Sequence, residues 1–115
     1  MPEGAVKVFK NPQENKDLIR KELSDNSGIY AFVNNQTLDI YVGSGTKVYK
    51  RIQSYLLPSY FNFNKYNSII QNALSKYGYE EFTLLILEIY SSNNLDREFR
   101  KFLFSREQHF IDILI

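Results

Sequence analysis

The chain of 115 residues has no cysteine and no tryptophan, and it has only one histidine, His109. Without cysteine it can form neither a disulfide framework nor a thiolate zinc site, and it has no cysteine nucleophile. One histidine excludes a multi-histidine metal centre. No apolar run approaches the roughly 18 residues needed to cross a bilayer, and residues 1–16 lack the long apolar stretch of a secretory signal. We therefore expect no membrane partner.

The composition is that of a folded protein. Hydrophobic residues make up 43% of the chain and charged residues 23%, which excludes an intrinsically disordered class. A chain of this length has room for one buried core and not for two. The sequence therefore predicts a single compact domain.

The net charge of +1 hides an uneven distribution. Residues 40–79 contain no acidic side chain, whereas the segments before and after them carry net charges of −1 and −3. A segment of this length without a carboxylate is a candidate face for a polyanion, although a mildly basic surface without a partner is equally compatible. Its five basic residues are Lys47, Lys50, Arg51, Lys65 and Lys76.

Hydrophobic periodicity and turn residues predict alternating strands and helices. Asn11 and Pro12 are typical of a helix N-cap and first position, so a helix is expected from there to about Ser24. The elements predicted in the first half are a strand at 6–9, this helix with Leu18, Ile19 and Leu23 facing inward, an antiparallel hairpin of strands 29–33 and 38–42 with a turn at 34–37, and a tight glycine loop at 43–46.

In the second half, the run at 82–89 is nearly continuously apolar, which is typical of a central strand covered on both faces. The other predicted elements are a helix at 47–55, an irregular aromatic loop at 60–66, a helix at 68–76 that ends at Gly78 and buries Ile69, Ile70, Ala73, Leu74 and Tyr77, and a helix at 95–114 with Phe99, Leu103, Phe110, Ile113 and Leu114 on its apolar side. The sequence thus predicts an α+β fold with a small three-stranded, largely antiparallel sheet flanked by helices.

Five residues could together act on a phosphodiester. Tyr30 and Tyr41 lie on the hairpin strands, where their rings could lie side by side, and Arg51 and Tyr55 share one face of the next helix. Glu107 lies in the last helix. A carboxylate can hold a hard cation such as Mg²⁺, an arginine can neutralise phosphoryl charge, and a tyrosine with a lowered pKa can take a proton from water. Taken singly, each also fits ordinary packing or a solvated charge.

These residues occur in ordered blocks. Gly28-Ile29-Tyr30 is followed, after a gap of ten residues, by Tyr41-Val42-Gly43, and this pair resembles the signature of the GIY-YIG nucleases. The similar blocks that follow are Arg51, Asn67-Ser68, Ala73-Leu74 with Lys76-Tyr77-Gly78, Phe82 to Glu88, and Arg106-Glu107-Gln108 with Phe110-Ile111-Asp112. The resemblance covers roughly residues 27–114, and the run before it is similar to the leader of fungal mitochondrial group I intron members.

The resemblance implies a GIY-YIG fold in which residues 27–115 form the catalytic domain after a leader at 1–26. It implies a Mg²⁺-dependent DNA endonuclease, with Mn²⁺ as a substitute, that hydrolyses DNA without a covalent intermediate and is the catalytic part of an intron-encoded homing endonuclease. Tyr30 or Tyr41 would be the general base, with Tyr30 preferred. Arg51 would stabilise the scissile phosphate and Glu107 would be the sole protein ligand of the metal. Tyr55 would relay a proton, at a position where homing members often have histidine.

DNA is the expected partner. Gly43 would allow close approach of a phosphate to the backbone, and the Ser44 hydroxyl could donate to a phosphate oxygen. Lys47 and Lys50 would add charge, and Asn67 belongs to a block of the resemblance. We expect a monomer, and a separate DNA-recognition segment in the full-length protein. A fungal intron origin would place the protein in the mitochondrion, and any other origin in the cytoplasm of a bacterium or phage-infected cell.

A non-catalytic nucleic-acid-binding module is the alternative interpretation. Aromatic side chains interleave with the basic residues of 40–79 and would suit stacking on single strands; they are Tyr49, Tyr55, Tyr60, Phe61, Phe63 and Tyr66. A decayed module would be expected to have lost at least one of Tyr30, Tyr41, Arg51 and Glu107, and all four are present. A partner-docking domain would explain the aromatic surface but not the ordered blocks.

Overall fold

A computed structural model describes residues 6–23, 26–56, 69–91 and 96–115. In these ranges an antiparallel sheet carries helices on both faces, which confirms the α+β class. The strands are β1 (Lys7–Lys10), β2 (Ser27–Asn34), β3 (Ile40–Gly45) and β4 (Phe82–Tyr90). The helices are α1 (Lys16–Leu23), α2 (Val48–Leu56), α3 (Ile69–Tyr77) and α4 (Arg97–Leu114). No helix in the described ranges is both long and apolar enough to cross a membrane.

The described sheet has four strands in the order β1-β4-β2-β3, so the prediction of three was wrong. The additional strand is β1, whose residues pair antiparallel with Thr83 to Ile86. With β2 on one side of β4, the other edge of that long strand would leave backbone N–H and C=O groups unpaired. β1 covers this edge, and Phe9 is its one buried side chain. The predicted leader thus contributes a strand to the same sheet.

The prediction of β4 as a central strand covered on both faces is confirmed. Phe82, Leu84 and Ile86 belong to the core beneath α1, α2 and α3. Leu85 and Leu87 alternate with them and belong to the core beneath α4. Because successive side chains of a strand point to opposite faces, an apolar run without alternation requires this double cover.

The hairpin of β2 and β3 is confirmed, but its turn and its end differ from the prediction. Asn34 accepts hydrogen bonds from the backbone N–H groups of Gln36 and Thr37, and Leu38 is exposed with a φ of +67°, so β3 begins only at Ile40. The predicted glycine loop at 43–46 was also wrong, because β3 continues to Gly45. A turn is left only at 46–47.

The first helix begins later than predicted. Asn11 has a φ of +45° and its side chain accepts a hydrogen bond from the backbone N–H of Glu14, so it forms a turn and not a helix cap. α1 therefore starts at Lys16. Ile19 and Leu23 are buried as predicted, whereas Leu18 points to solvent.

Two further residues predicted to be buried are exposed. Ile69 lies beside the buried stripe of α3, which is formed by Ile70, Ala73 and Leu74. Ile113 is exposed in the last turn of α4, whereas Leu103 and Phe110, about two helical turns apart, are buried in the core. The predicted aromatic loop at 60–66 and the predicted helix start at residue 68 lie outside the described residues.

An ion pair fixes α4 on the sheet. Arg106 donates from Nε and Nη2 to the two carboxylate oxygens of Glu88 in β4, at 2.8 and 2.7 Å, and the Tyr90 hydroxyl donates to the same carboxylate. Hydrogen bonding to Arg106 lowers the carboxyl pKa of Glu88. Burial, and then the neighbouring carboxylate, raise the hydroxyl pKa of Tyr90 to about 12. The pair sets the rotation of α4, and with it the direction of the adjacent Glu107.

This ion pair gives a pH-dependent stability. Because the folded-state pKa of Glu88 lies below its usual 4.5, the pair stabilises the fold above about pH 4.5 and is lost as the pH falls through the lowered value. We expect Glu88→Gln to lower the urea midpoint of unfolding at pH 7, and the difference from wild type to shrink below pH 4.5. Glu98→Gln is the matched control, since Glu98 makes only an exposed 3.7 Å contact with Lys101. A pH-independent difference would contradict this assignment.

Candidate active site

A cleft of about 710 Å³ surrounds the edge strand β3. It is lined by all five residues that the sequence analysis selected for chemistry: Tyr30, Tyr41, Arg51, Tyr55 and Glu107. α2 packs on one face of the sheet and α4 on the other. Arg51 and Glu107 nevertheless line the same cleft, because β3 has no further strand beside it in the described sheet and the cleft extends around its edge. The structure thus brings the five side chains together, and their chemical roles stay predictions.

The Tyr30 ring crosses β3 at Gly43. Tyr30 and Gly43 are directly paired across the two strands, and a Cβ placed at Gly43 would overlap the Tyr30 ring and hydroxyl. Tyr30 is only 1% exposed as a result. Tyr41 pairs with Phe32, so the two tyrosines are diagonal neighbours on one face. Glycine is required at position 43 because any side chain there would occupy the space of the Tyr30 ring.

We expect Gly43→Ala to destabilise the fold by about 1–3 kcal/mol, because the added methyl group overpacks a filled space. The matched control is Gly45→Ala in the same strand, where a Cβ would meet its nearest neighbour, the Arg51 Cβ, at an ordinary 3.4 Å. Urea unfolding of both variants measures the difference. If the two variants are equally stable, the packing of the Tyr30 ring does not require the absence of a side chain at Gly43.

Two of the tyrosines that line the cleft, Tyr30 and Tyr41, are harder to ionise than free tyrosine. Burial, and then the Tyr55 hydroxyl beside it, raise the pKa of Tyr30 well above 10, although the Arg51 charge acts in the opposite direction. Burial, and then the charge of Asp39, also raise the pKa of Tyr41. These directions are opposite to the lowered pKa that would let a tyrosine take a proton from water directly, and the general-base role stays a prediction. The Tyr30 hydroxyl donates a hydrogen bond to the Tyr55 hydroxyl at 3.3 Å, which links the two phenols beneath the cleft.

Arg51 lies where the cleft meets a second recess of about 350 Å³. Its guanidinium carbon is 5.6 Å from the centre of the Tyr55 ring, within the range of a cation–π contact. No carboxylate of the described residues pairs with it. Lys47 and Lys50 line the second recess and are exposed. Positive charge therefore gathers on this side of β3, and none of the described residues that line the second recess is acidic.

Glu107 provides the acidic side chain of the cleft. Its Oε1 accepts a hydrogen bond from the Ser44 hydroxyl at 2.8 Å, and no other carboxylate side chain among the described residues lines the cleft. The described residues also hold no cluster of three or more histidine, aspartate or glutamate side chains. Glu88 is occupied by Arg106 and Tyr90. A single carboxylate in an open cleft fits Mg²⁺, which keeps several waters and shares its ligands with substrate phosphates.

The remaining predicted DNA-binding residues have different positions. Gly43 and Ser44 line the cleft, Lys47 and Lys50 line the recess beside it, and Asn67 lies outside the described residues. Sequence reasoning missed an apolar wall of the cleft, formed by Phe104 and Ile111 of α4 and by Ile115 directly after the helix. Their spacing from Glu107 is three, four and eight residues, which is the spacing of one helix face and could have revealed them.

Comparisons with known proteins agree with this geometry. Residues 26–112 match the family described as the GIY-YIG catalytic domain. Probable intron-encoded endonuclease 1 of Neurospora crassa is 33% identical over 84 residues, covering 70% of this chain and 26% of the relative. Probable intron-encoded endonuclease bI1 of the same fungus is 29% identical over 99 residues, covering 84% of this chain and 21% of the relative.

The chain therefore spans about a quarter of the length of the curated relatives that it matches. No solved structure matches it significantly. The family match includes both name-giving triplets, the arginine of α2 and the glutamate of α4. The chain belongs to the GIY-YIG family, as a GIY-YIG catalytic domain.

Proposed function

We propose that this domain is a Mg²⁺-dependent endonuclease that hydrolyses phosphodiester bonds in DNA, as the catalytic part of an intron-encoded homing endonuclease. The observation that carries the proposal is the meeting of Arg51 and Glu107 across one cleft, from helices on opposite faces of the sheet. The names of the two Neurospora relatives, both intron-encoded endonucleases, support the same conclusion.

Arg51 and Glu107 would act on different charges, the first on the phosphate and the second on the metal. A scissile phosphate in the cleft would lie against the Arg51 guanidinium, which neutralises the charge that builds up as the bond breaks. Glu107, oriented by Ser44, would hold the metal from the other side of β3. When bound, Mg²⁺ polarises the phosphoryl oxygens and offsets their charge. Mn²⁺, which accepts similar oxygen ligands, is expected to substitute.

The buried phenols would position water and carry its proton. Tyr30 donates its hydrogen to Tyr55, so its oxygen lone pairs can accept a hydrogen bond from a water in the cleft. Because its raised pKa keeps Tyr30 neutral, Tyr30 would accept the proton of that water only as its own proton passes to Tyr55, and Tyr55 would release a proton to solvent in the cleft. This relay keeps the buried Tyr30 neutral. Tyr41, diagonally beside Tyr30 on the same face, lines the same cleft.

The relatives support a proposal about the full-length protein to which the domain belongs. The matched region is a minor part of each Neurospora protein, which leaves room for a separate DNA-recognition segment in a full-length protein. We propose that the catalytic domain acts as a monomer and, with an intron-encoded origin, in the mitochondrion. Contacts from this domain alone read the DNA backbone and not the bases, so its binding would be tolerant of sequence.

Incubation with supercoiled plasmid tests the nuclease proposal. We expect nicked or linear DNA in the presence of Mg²⁺ and intact plasmid in EDTA. Gel mobility shifts on the same plasmid establish separately whether the protein is bound. Saturated binding without cleavage in either Mg²⁺ or Mn²⁺ would contradict the proposal and favour a non-catalytic binding module.

Lys47 and Lys50 provide a test of how DNA is held. Replacing both by alanine is expected to weaken binding equally for unrelated sequences and to reduce the slope of log affinity against log salt by about two units, because two phosphate contacts are lost. Fluorescence anisotropy across a salt series measures the slope. Lys16→Ala with Lys21→Ala removes two exposed lysines of α1 as the matched control. An unchanged slope in the first variant would place the DNA on another surface.

A further inference from the structure

A smaller recess of about 200 Å³ adjoins the cleft at the end of β3. Its β3 side is formed by Ser44 and Gly45 with the following Thr46, and its α4 side by Arg100, Leu103 and Phe104. Ser44 and Phe104 line both this recess and the main cleft. A ligand in the recess would therefore lie next to one in the cleft.

Phe104 is exposed, and no ring packing among the described residues accounts for its position. Its side chain is 64% exposed, and no aromatic ring of the described residues contacts it. Phe102 on the same helix is different. It is 42% exposed, and its ring packs at 5.3 Å from Tyr90 and 6.1 Å from Phe99. Phe104 thus presents a bare aromatic surface at the junction of two cavities.

Arg100 places a cation beside this ring. It lies one helical turn before Phe104 in α4, is exposed, and pairs with no carboxylate of the described residues. With Arg51 and the two lysines across β3, positive charge flanks the cleft on both sides. This distribution complements a polyanion that crosses the end of β3. An aromatic ring interleaved with cations is typical of sites where unpaired bases stack.

We propose that this recess is a nucleotide subsite, in which Phe104 stacks on an unpaired base beside the scissile phosphate and Arg100 contacts the adjoining phosphate. The inference rests on the proposed nuclease function and deepens it, because it names a feature of the substrate. Phe104 and Glu107 are three residues apart, or about 4.5 Å along the helix axis. One nucleotide advances about 3.4 Å along a DNA strand, so the stacked base lies one or two nucleotides from the cleaved bond.

Binding to two matched DNA duplexes tests the subsite. One contains a single unpaired 2-aminopurine nucleotide and the other is fully paired, and both are titrated by anisotropy in EDTA so that no cleavage intervenes. We expect wild type to prefer the unpaired nucleotide by about 5-fold to 150-fold, which corresponds to the roughly 1–3 kcal/mol typical of stacking one base on an aromatic side chain. Stacking should also quench the 2-aminopurine fluorescence.

Three substitutions test whether the Phe104 ring causes the binding preference and the fluorescence quenching. Phe104→Leu should abolish both the preference and the quenching, Phe104→Tyr should keep them, and Phe102→Leu is the control that should also keep them. Since Phe104 is mostly exposed, its variants are expected to fold. Arg100→Ala should weaken binding of both duplexes and reduce the salt slope by about one unit.

The experiment distinguishes failure of the subsite proposal from failure of the nuclease proposal. If wild type binds both duplexes equally, or if Phe104→Leu keeps the preference, the subsite is overturned while the nuclease proposal stands. If neither duplex binds at any salt concentration, DNA is not the ligand of this cleft, and both proposals are overturned.

Discussion

Replacement of Arg51 by alanine is expected to lower the rate of DNA cleavage by about 10²- to 10³-fold, which is the usual cost of removing one preorganised donor from a site of developing negative charge. Burial acts to lower the pKa of Arg51, but the Tyr55 and Tyr30 hydroxyls outweigh it and raise the pKa further, so the side chain is a permanent cation. The fold should persist, because the contact with the Tyr55 ring is worth only about 0.5–1 kcal/mol at an exposed position. Single-turnover cleavage with saturating enzyme measures the rate.

Two variants control this prediction. Arg51→Lys keeps the charge but loses the planar pair of donors that fits a phosphate, so we expect its rate to lie between wild type and alanine. Arg20→Ala removes an exposed arginine of α1 that lines no cavity described here, and its rate should equal that of wild type. A wild-type rate for Arg51→Ala would exclude Arg51 from the reaction.

Replacement of Glu107 by glutamine is expected to reduce cleavage by more than about 100-fold, since loss of even an indirect metal partner typically costs 10-fold to 100-fold. The amide keeps the volume of the side chain, and its oxygen can still accept the hydrogen bond from Ser44. What it loses is the negative charge that a divalent cation requires. Plasmid nicking measures the activity, and thermal unfolding should show an unchanged fold.

Glu98→Gln is the matched control, because Glu98 is an exposed glutamate of the same helix that lines no described cavity. Its nicking activity should equal that of wild type. Wild-type activity in the Glu107 variant would mean that the metal is held elsewhere. Glu88 would be a poor alternative, because both of its oxygens are engaged by Arg106.

The sequence predicted the elements of this fold better than their pairing. The hairpin follows from two β-prone runs on either side of a polar turn, and the central strand follows from a continuous apolar run; both are local signals. The pairing of Lys7–Lys10 with residues more than 70 positions away depends on which strand edge is left uncovered. No local pattern contains that information, so the sheet was predicted with one strand too few.

The loop predicted at the end of β3 was wrong because it was based on the presence of glycine. Glycine is common in loops, yet Gly43 and Gly45 both pair with residues of β2 in the sheet. Gly43 is required because the Tyr30 ring occupies the space of a side chain, and Gly28 because a Cβ there would meet the backbone oxygen of Glu88 at 2.5 Å. Close approach between strands, and not chain reversal, explains these glycines.

The candidate site was predictable in its residues but not in its electrostatics. Spacing and residue type were sufficient to select Tyr30, Arg51 and Glu107, and the structure brings them to one cleft. The raised pKa of Tyr30 depends on its burial beneath β3, which only the folded structure shows. Phe104 was overlooked because the apolar side predicted for the last helix, which included Phe99 and Phe110, did not include it.

Binding of Mn²⁺ followed by NMR tests most directly whether the metal belongs in this cleft. In ¹⁵N-labelled wild type, the paramagnetic ion should first broaden the amide resonances nearest the Glu107 carboxylate, those of Ser44 and of residues 106–108. Excess Mg²⁺ should reverse the broadening, and the Glu107→Gln variant should not show it. Broadening centred on another group of residues, or broadening that persists unchanged in the variant, would contradict a metal site at Glu107.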